Sequence, residues 1–150
     1  MSGSFLYIGI HFIFSTKNRV NIITSEIKDR LYSYIGGIIK SIKGIPIAIN
    51  GMPDHIHVFC IVSREMTIAD FMRIVKSNSS KWLNETFPVK PKFQWQDGYG
   101  SFSVTKSSEN KIIEYVKNQE EHHKQKSFQD EFIEYLRLMK IDYDERYIWQ

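Results

Sequence analysis

The chain of 150 residues is 42% hydrophobic and 25% charged, which suits one folded domain spanning 1–150 with a buried core and excludes a fibrous or disordered class. Twenty Lys and Arg against 17 Asp and Glu leave a formal charge of +3, too mild to point to nucleic acid unless the bases cluster. One cysteine, Cys60, excludes an internal disulfide framework and a cysteine-built zinc site. No signal-peptide pattern or membrane-length apolar run is present, so a cytoplasmic protein is expected.

In chain order, Phe5 to Ser15 alternates and predicts a strand, with Leu6, Ile8, Ile10, Phe12 and Phe14 facing a core and His11 on the opposite side. A histidine there is a sheet-surface residue unless its face meets other ligands. Lys17-Asn18-Arg19 is a basic turn. Thr24 or Ser25 caps a helix that runs to about Ile42 on the stripe Ile27, Leu31, Tyr34, Ile35, Ile38 and Ile39. Ile45 to Ile49 predicts a short strand, Asn50 to Asp54 a turn, and His55 to Val62 the second arm of a hairpin.

Thr67 and Asp70 form a capping box for a second helix that buries Phe71, Met72, Val75 and Trp82 or Leu83. Arg73, Lys76, Ser77, Ser80 and Lys81 lie off that stripe, either as a solvated face or as phosphate contacts. Trp95 in Gln94 to Gly100 is read as core, ahead of a strand from Ser101 to Val104. Ser107 or Ser108 caps a third helix expected to run through His123, and Ser127 a fourth with the stripe Phe128, Phe132, Tyr135 and Leu136. The tail holds Tyr143, Tyr147 and Trp149, too aromatic for a free end, and is expected to pack on the body or on a second subunit. This order predicts an α+β fold: a ferredoxin-like or RRM-like antiparallel sheet with helices on one face, followed by C-terminal helices.

Two constellations carry chemistry. His55 and His57 alternate onto one sheet face, roughly 6–7 Å apart at the backbone, and read either as exposed strand histidines or as two ligands of a divalent metal. Tyr115 and Gln119 share a helix face, and His122 follows one turn later. A hard ion such as magnesium or manganese takes further oxygen ligands, and the Gln119 amide can supply one. Tyr115 would then lie beside the metal, where a phenol of ordinary pKa near ~10 becomes a feasible nucleophile toward a polarised phosphate. Its product would be a phosphotyrosine ester with DNA.

Asp54-His55-Ile56-His57 and Tyr115-Val116-Lys117-Asn118-Gln119 together resemble the HUH motif and nucleophile helix of single-tyrosine transposases, the IS200-like family of insertion sequences that move as single-stranded DNA. His11 to Arg19, Ser79-Ser80-Lys81-Trp82 and Trp95 to Val104 are family-like too, so the resemblance covers nearly the whole chain. It implies a metal-dependent strand transferase, in which His55, His57 and Gln119 hold Mg2+ or Mn2+ and Tyr115 attacks the scissile phosphate. A 5′-phosphotyrosine and a free 3′-hydroxyl would result. The implied partners are single-stranded DNA with hairpin ends and a second copy of the chain as a homodimer with a merged sheet. Lys17, Arg19, Arg73, Lys76 and Lys81 are the expected DNA contacts. No role for His122-His123 is derived beyond a surface histidine or, for His122, proton transfer. The competing readings are a domesticated transposase linked to repeated palindromic (REP) elements, a replication-initiator or relaxase-like nickase, a decayed transposase, and a non-catalytic module that stacks nucleic acid on the sheet face bearing Phe59.

Overall fold

The computed structural model describes residues 3–150. Its described strands form one antiparallel sheet in the order β2-β3-β1-β4, from β1 (Gly9–Ser15), β2 (Ile45–Met52), β3 (His55–Ile61) and β4 (Gly100–Val104). This is the expected ferredoxin-like order, with α1 (Ser25–Ser41) and α2 (Ile68–Thr86) as its two crossovers.

Ile10, Phe12 and Phe14 of β1 and Ile56, Val58 and Cys60 of β3 point to α1 and α2 and form the larger core with Leu31, Ile35, Phe71 and Val75. Phe12 stacks on Phe71 with ring centroids 5.9 Å apart. The opposite sheet face is also covered. There, α3 (Glu109–Lys117) and α5 (Phe128–Leu138) pack their apolar sides over Ile13, Phe59, Phe102 and Val104, and the short polar α4 (Gln119–His123) lies between them in sequence. His11, His55 and His57 lie on this second face and are buried.

Four expectations change. The first strand begins at Gly9 rather than Phe5, because Gly9 pairs with Ile61 and Val104 and the ladder ends there, leaving Phe5 95% exposed and Leu6 exposed. β2 continues through Asn50-Gly51-Met52 to pair with His57, Ile56 and His55, so the turn contracts to Pro53-Asp54. Gly51 permits that close pairing, since a Cβ there would fall on the His55 carbonyl and 2.8 Å from Ile56 Cα. The third helix breaks at Asn118 (φ −97°, ψ 30°) and divides into α3 and α4. Phe59, a candidate stacking platform, is fully buried beneath the C-terminal helices, which closes the sheet face that a non-catalytic RRM-like module would need open.

The aromatic tail packs as expected on the body. Tyr143, Ile148 and Trp149 lie against Phe128 and Phe132 of α5, while Tyr147 is exposed. Trp95 is buried and donates its indole N–H to Ser79 Oγ at 2.9 Å. No helix among the described residues is long and apolar enough to cross a membrane.

Candidate active site

The histidine strand is central because β3 pairs on both sides, so His55 and His57 are held by two ladders while α4 and α5 close over them. Each ring is oriented through Nδ1. His55 Nδ1 donates to Asp54 Oδ1 at 2.7 Å, which leaves Nε2 with its lone pair toward the site. His57 Nδ1 lies 2.8 Å from His11 Nε2, with the two rings stacked at 5.1 Å. His57 Nε2 donates to Glu131 Oε1, so in the neutral ring Nδ1 is the acceptor and His11 Nε2 donates to it. His11 Nδ1 is buried and has no partner among the described residues. The face of His11 therefore does meet that of His55 and His57, and this ring braces the strand from behind.

The other side of the site comes from α4 and α5. Gln119 is fully buried, with Oε1 3.4 Å from His55 Nε2. The break at Asn118 shifts the helix phase, and His123 joins the cluster in place of His122. Its Nδ1 donates to the Lys126 carbonyl at 2.7 Å, and its Nε2 lies 3.1 Å from Gln119 Oε1. Glu131, 3% exposed, lies at the centre. Its Oε1 is 3.0 Å from His57 Nε2, 3.4 Å from His123 Nε2 and 3.7 Å from His55 Nε2. One ligand atom each from His55, His57, His123 and Glu131 lie within 4.8 Å of one another. The Tyr115 hydroxyl donates to Glu131 Oε2, and its ring packs on His122 (4.4 Å) and His57 (5.7 Å). Gln119 Nε2 donates to the Tyr115 carbonyl at 3.1 Å, so these two residues hold together across the helix break.

Electrostatics follow from burial around one carboxylate. Burial opposes ionisation of Glu131, but hydrogen bonds from His123 and His57 outweigh it and hold the carboxyl well below its usual range. Burial lowers His57 to about 4 despite the nearby Glu131. Burial and the neighbouring His57 keep His11 well below an ordinary histidine. His123 moves upward, because contact with Glu131 overcomes its partial burial. Burial first, then the Glu131 charge, raises the Tyr115 phenol far above its ordinary value.

His55, His57, Gln119 and Tyr115 thus converge. His123 and Glu131 went unread in the sequence, although Glu131 stands three residues after Phe128 and four before Tyr135, on the buried stripe of α5, where a lone carboxylate is itself a signal.

The basic residues divide. Lys17, Arg73 and Lys76 line one groove of about 530 Å³ with Ser77, Ser80 and Gln94. Lys76 Nζ donates to the carbonyls of Gln96 (2.6 Å), Asp97 (2.9 Å) and Gly98 (2.9 Å), and so holds the groove's wall. Arg19 lies over the Trp149 ring at 5.7 Å, and Lys81 lines a neighbouring depression with Asn84 and Lys92.

The ferredoxin-like sheet thus carries a buried histidine pair, with Tyr115 on a C-terminal helix above it. The profile of the family Transposase IS200 like matches residues 4–119, and the chain belongs to that family of transposases. It is 25% identical to the ISDra2 transposase TnpA of Deinococcus radiodurans over 114 residues, which are 73% of this chain and 81% of that protein. The fold is shared with the crystal structure of a candidate transposase from Deinococcus radiodurans, at TM-score 0.64 and 23% identity over 79% of this chain and 95% of that one. It is shared also with a REP-associated tyrosine transposase bound to a REP hairpin, at TM-score 0.57 and 14% identity over 79% and 72% of the two chains.

Proposed function

We propose that this transposase is a single-tyrosine, HUH-type enzyme that cleaves and rejoins single-stranded DNA at insertion-sequence ends through a 5′-phosphotyrosine intermediate. The observation that carries this reading is the convergence of Tyr115 and the His55–His57 pair on the two oxygens of one buried carboxylate. Tyr115 Oη attacks the scissile phosphorus. A Tyr115 O–P bond forms, the P–O3′ bond breaks, and the 3′ oxygen takes a proton from water and departs as a hydroxyl. Glu131 Oε2 already accepts the phenol's hydrogen bond and is the nearest acceptor for its proton. Attack by the freed 3′-hydroxyl of another strand end on the phosphotyrosine reverses the step and rejoins DNA.

The donor set fits a divalent metal. His55 and His57 present Nε2 with Nδ1 engaged elsewhere, and the Gln119 amide oxygen lies beside them. When bound, Mg2+ or Mn2+ supplies positive charge that polarises the phosphate and eases ionisation of the phenol. The groove lined by Lys17 and Arg73 offers cation and hydroxyl to phosphates of a single strand, with Lys81 in the neighbouring depression, Lys76 shaping the wall and Arg19 a further candidate contact. The reading carries a homodimer with it; β2 and β4 are the edges at which a second sheet would pair. A strand-cleavage assay on oligonucleotides from the flanks of the gene tests the proposal. Cleavage requiring Mg2+ or Mn2+, stopped by EDTA and abolished by His57→Ala, is the expected result. Metal-independent cleavage, or cleavage that survives His57→Ala, would overturn it.

A further inference from the structure

The Nδ1 atoms of His55 and His123 face a carboxylate and a carbonyl, both acceptors, so each carries its proton there. Their Nε2 atoms, together with His57 Nε2, then converge on Glu131 Oε1 at 3.0–3.7 Å. Gln119 Oε1 adds another acceptor at 3.1 Å and 3.4 Å from two of these nitrogens. A cation among them, whether protons on the rings or a metal ion, relieves acceptors packed against acceptors in a water-poor space, and ligand atoms within 4.8 Å of one another leave room for the metal. The spacing also suits one, since ligands held about 2.1 Å from a single tetrahedral ion lie roughly 3.4 Å apart.

We propose that Glu131 joins metal and nucleophile: with His123 it completes the ligand set begun by His55 and His57, and its second oxygen holds the Tyr115 hydroxyl beside the ion. This rests on the reading of His55 and His57 as ligands and Tyr115 as nucleophile. The consequence is metal choice. Three imidazoles and a carboxylate suit a transition ion such as manganese, cobalt or zinc, whereas magnesium takes oxygen ligands and retains its waters. The same geometry gives Glu131 two separable tasks and His123 only one.

The test is Co2+ titration of metal-free protein, read by visible absorption without DNA. The expected result is the strong absorption of four- or five-coordinate cobalt, displaced by Zn2+ and not by equimolar Mg2+. Glu131→Gln and His123→Asn should each weaken cobalt binding by roughly tenfold or more and reduce the band. With saturating Mn2+, phosphotyrosine formation should recover in His123→Asn. In Glu131→Gln the maximal rate should stay depressed with the KM for DNA unchanged, because an amide cannot take the Tyr115 proton. Wild-type cobalt spectrum and affinity in both variants, or full recovery of Glu131→Gln at saturating Mn2+, would overturn the inference. Because cobalt binding is read without DNA, a failure of strand cleavage and a failure of this ligand set are told apart.

Discussion

His11 and His57 share a hydrogen bond where water does not reach, and both are held neutral in the fold. The His57 pKa drops from 6.5 to about 4, so between those values the unfolded chain takes up a proton that the folded chain refuses. Stability therefore falls as pH falls through that window, by about 3 kcal/mol at most for His57, and His11 acts in the same direction. The lowered Glu131 carboxyl contributes stability present above its unfolded pKa of 4.5 and lost on further acidification. His123 alone runs oppositely, its contribution being present below 6.5 and lost as pH rises through its raised pKa. Thermal melts of metal-free protein between pH 7 and 4 should show Tm falling with pH, and a flat or rising Tm would contradict this balance. At this scale the sequence was partly legible. The pairing of histidines by alternation and of Tyr115 with Gln119 by helical spacing could be read directly. Glu131 could be flagged as a carboxylate on an apolar stripe, but its role could not be read, because its partners are 74 and 16 residues away and only the fold brings them together.

Among the elements, α5 links packing to chemistry. Ser127 Oγ accepts from Asp130 N at 3.2 Å and starts a helix whose buried side presents Phe128, Glu131 and Phe132 together. Ser127→Ala should cost about 1 kcal/mol in chemical denaturation and, by loosening the turn that carries Glu131, should weaken metal binding as well. The β2–β3 hairpin is less forgiving. Gly51→Ala would set a Cβ against the backbone of the histidine strand, and its loss in the same denaturation experiment should exceed that of Ser127→Ala. Equal or smaller loss would show that the hairpin can give. Helix caps at Thr67 and Ser127 were legible because each is a local sequence signal. The extent of β2 and the break at Asn118 were not: pairing with the histidine strand overrides the turn propensity of Asn50-Gly51, and packing over the site decides where the helix yields.

Over the whole molecule, a net charge of +3 conceals an uneven distribution in which Lys17 and Arg73 face one groove. Lys17→Ala and Arg73→Ala should each weaken single-stranded DNA binding and lower the salt dependence by about 0.7 per lost phosphate contact. An unchanged salt slope would move the DNA path elsewhere. The central claim is that Tyr115 becomes covalently joined to DNA. Labelled single strands from the gene's flanks, incubated with protein and Mn2+ and resolved under denaturing conditions, test it directly. The account predicts a metal-dependent adduct that is absent in Tyr115→Phe while the variant's DNA binding is retained. An adduct that persists in Tyr115→Phe would contradict it.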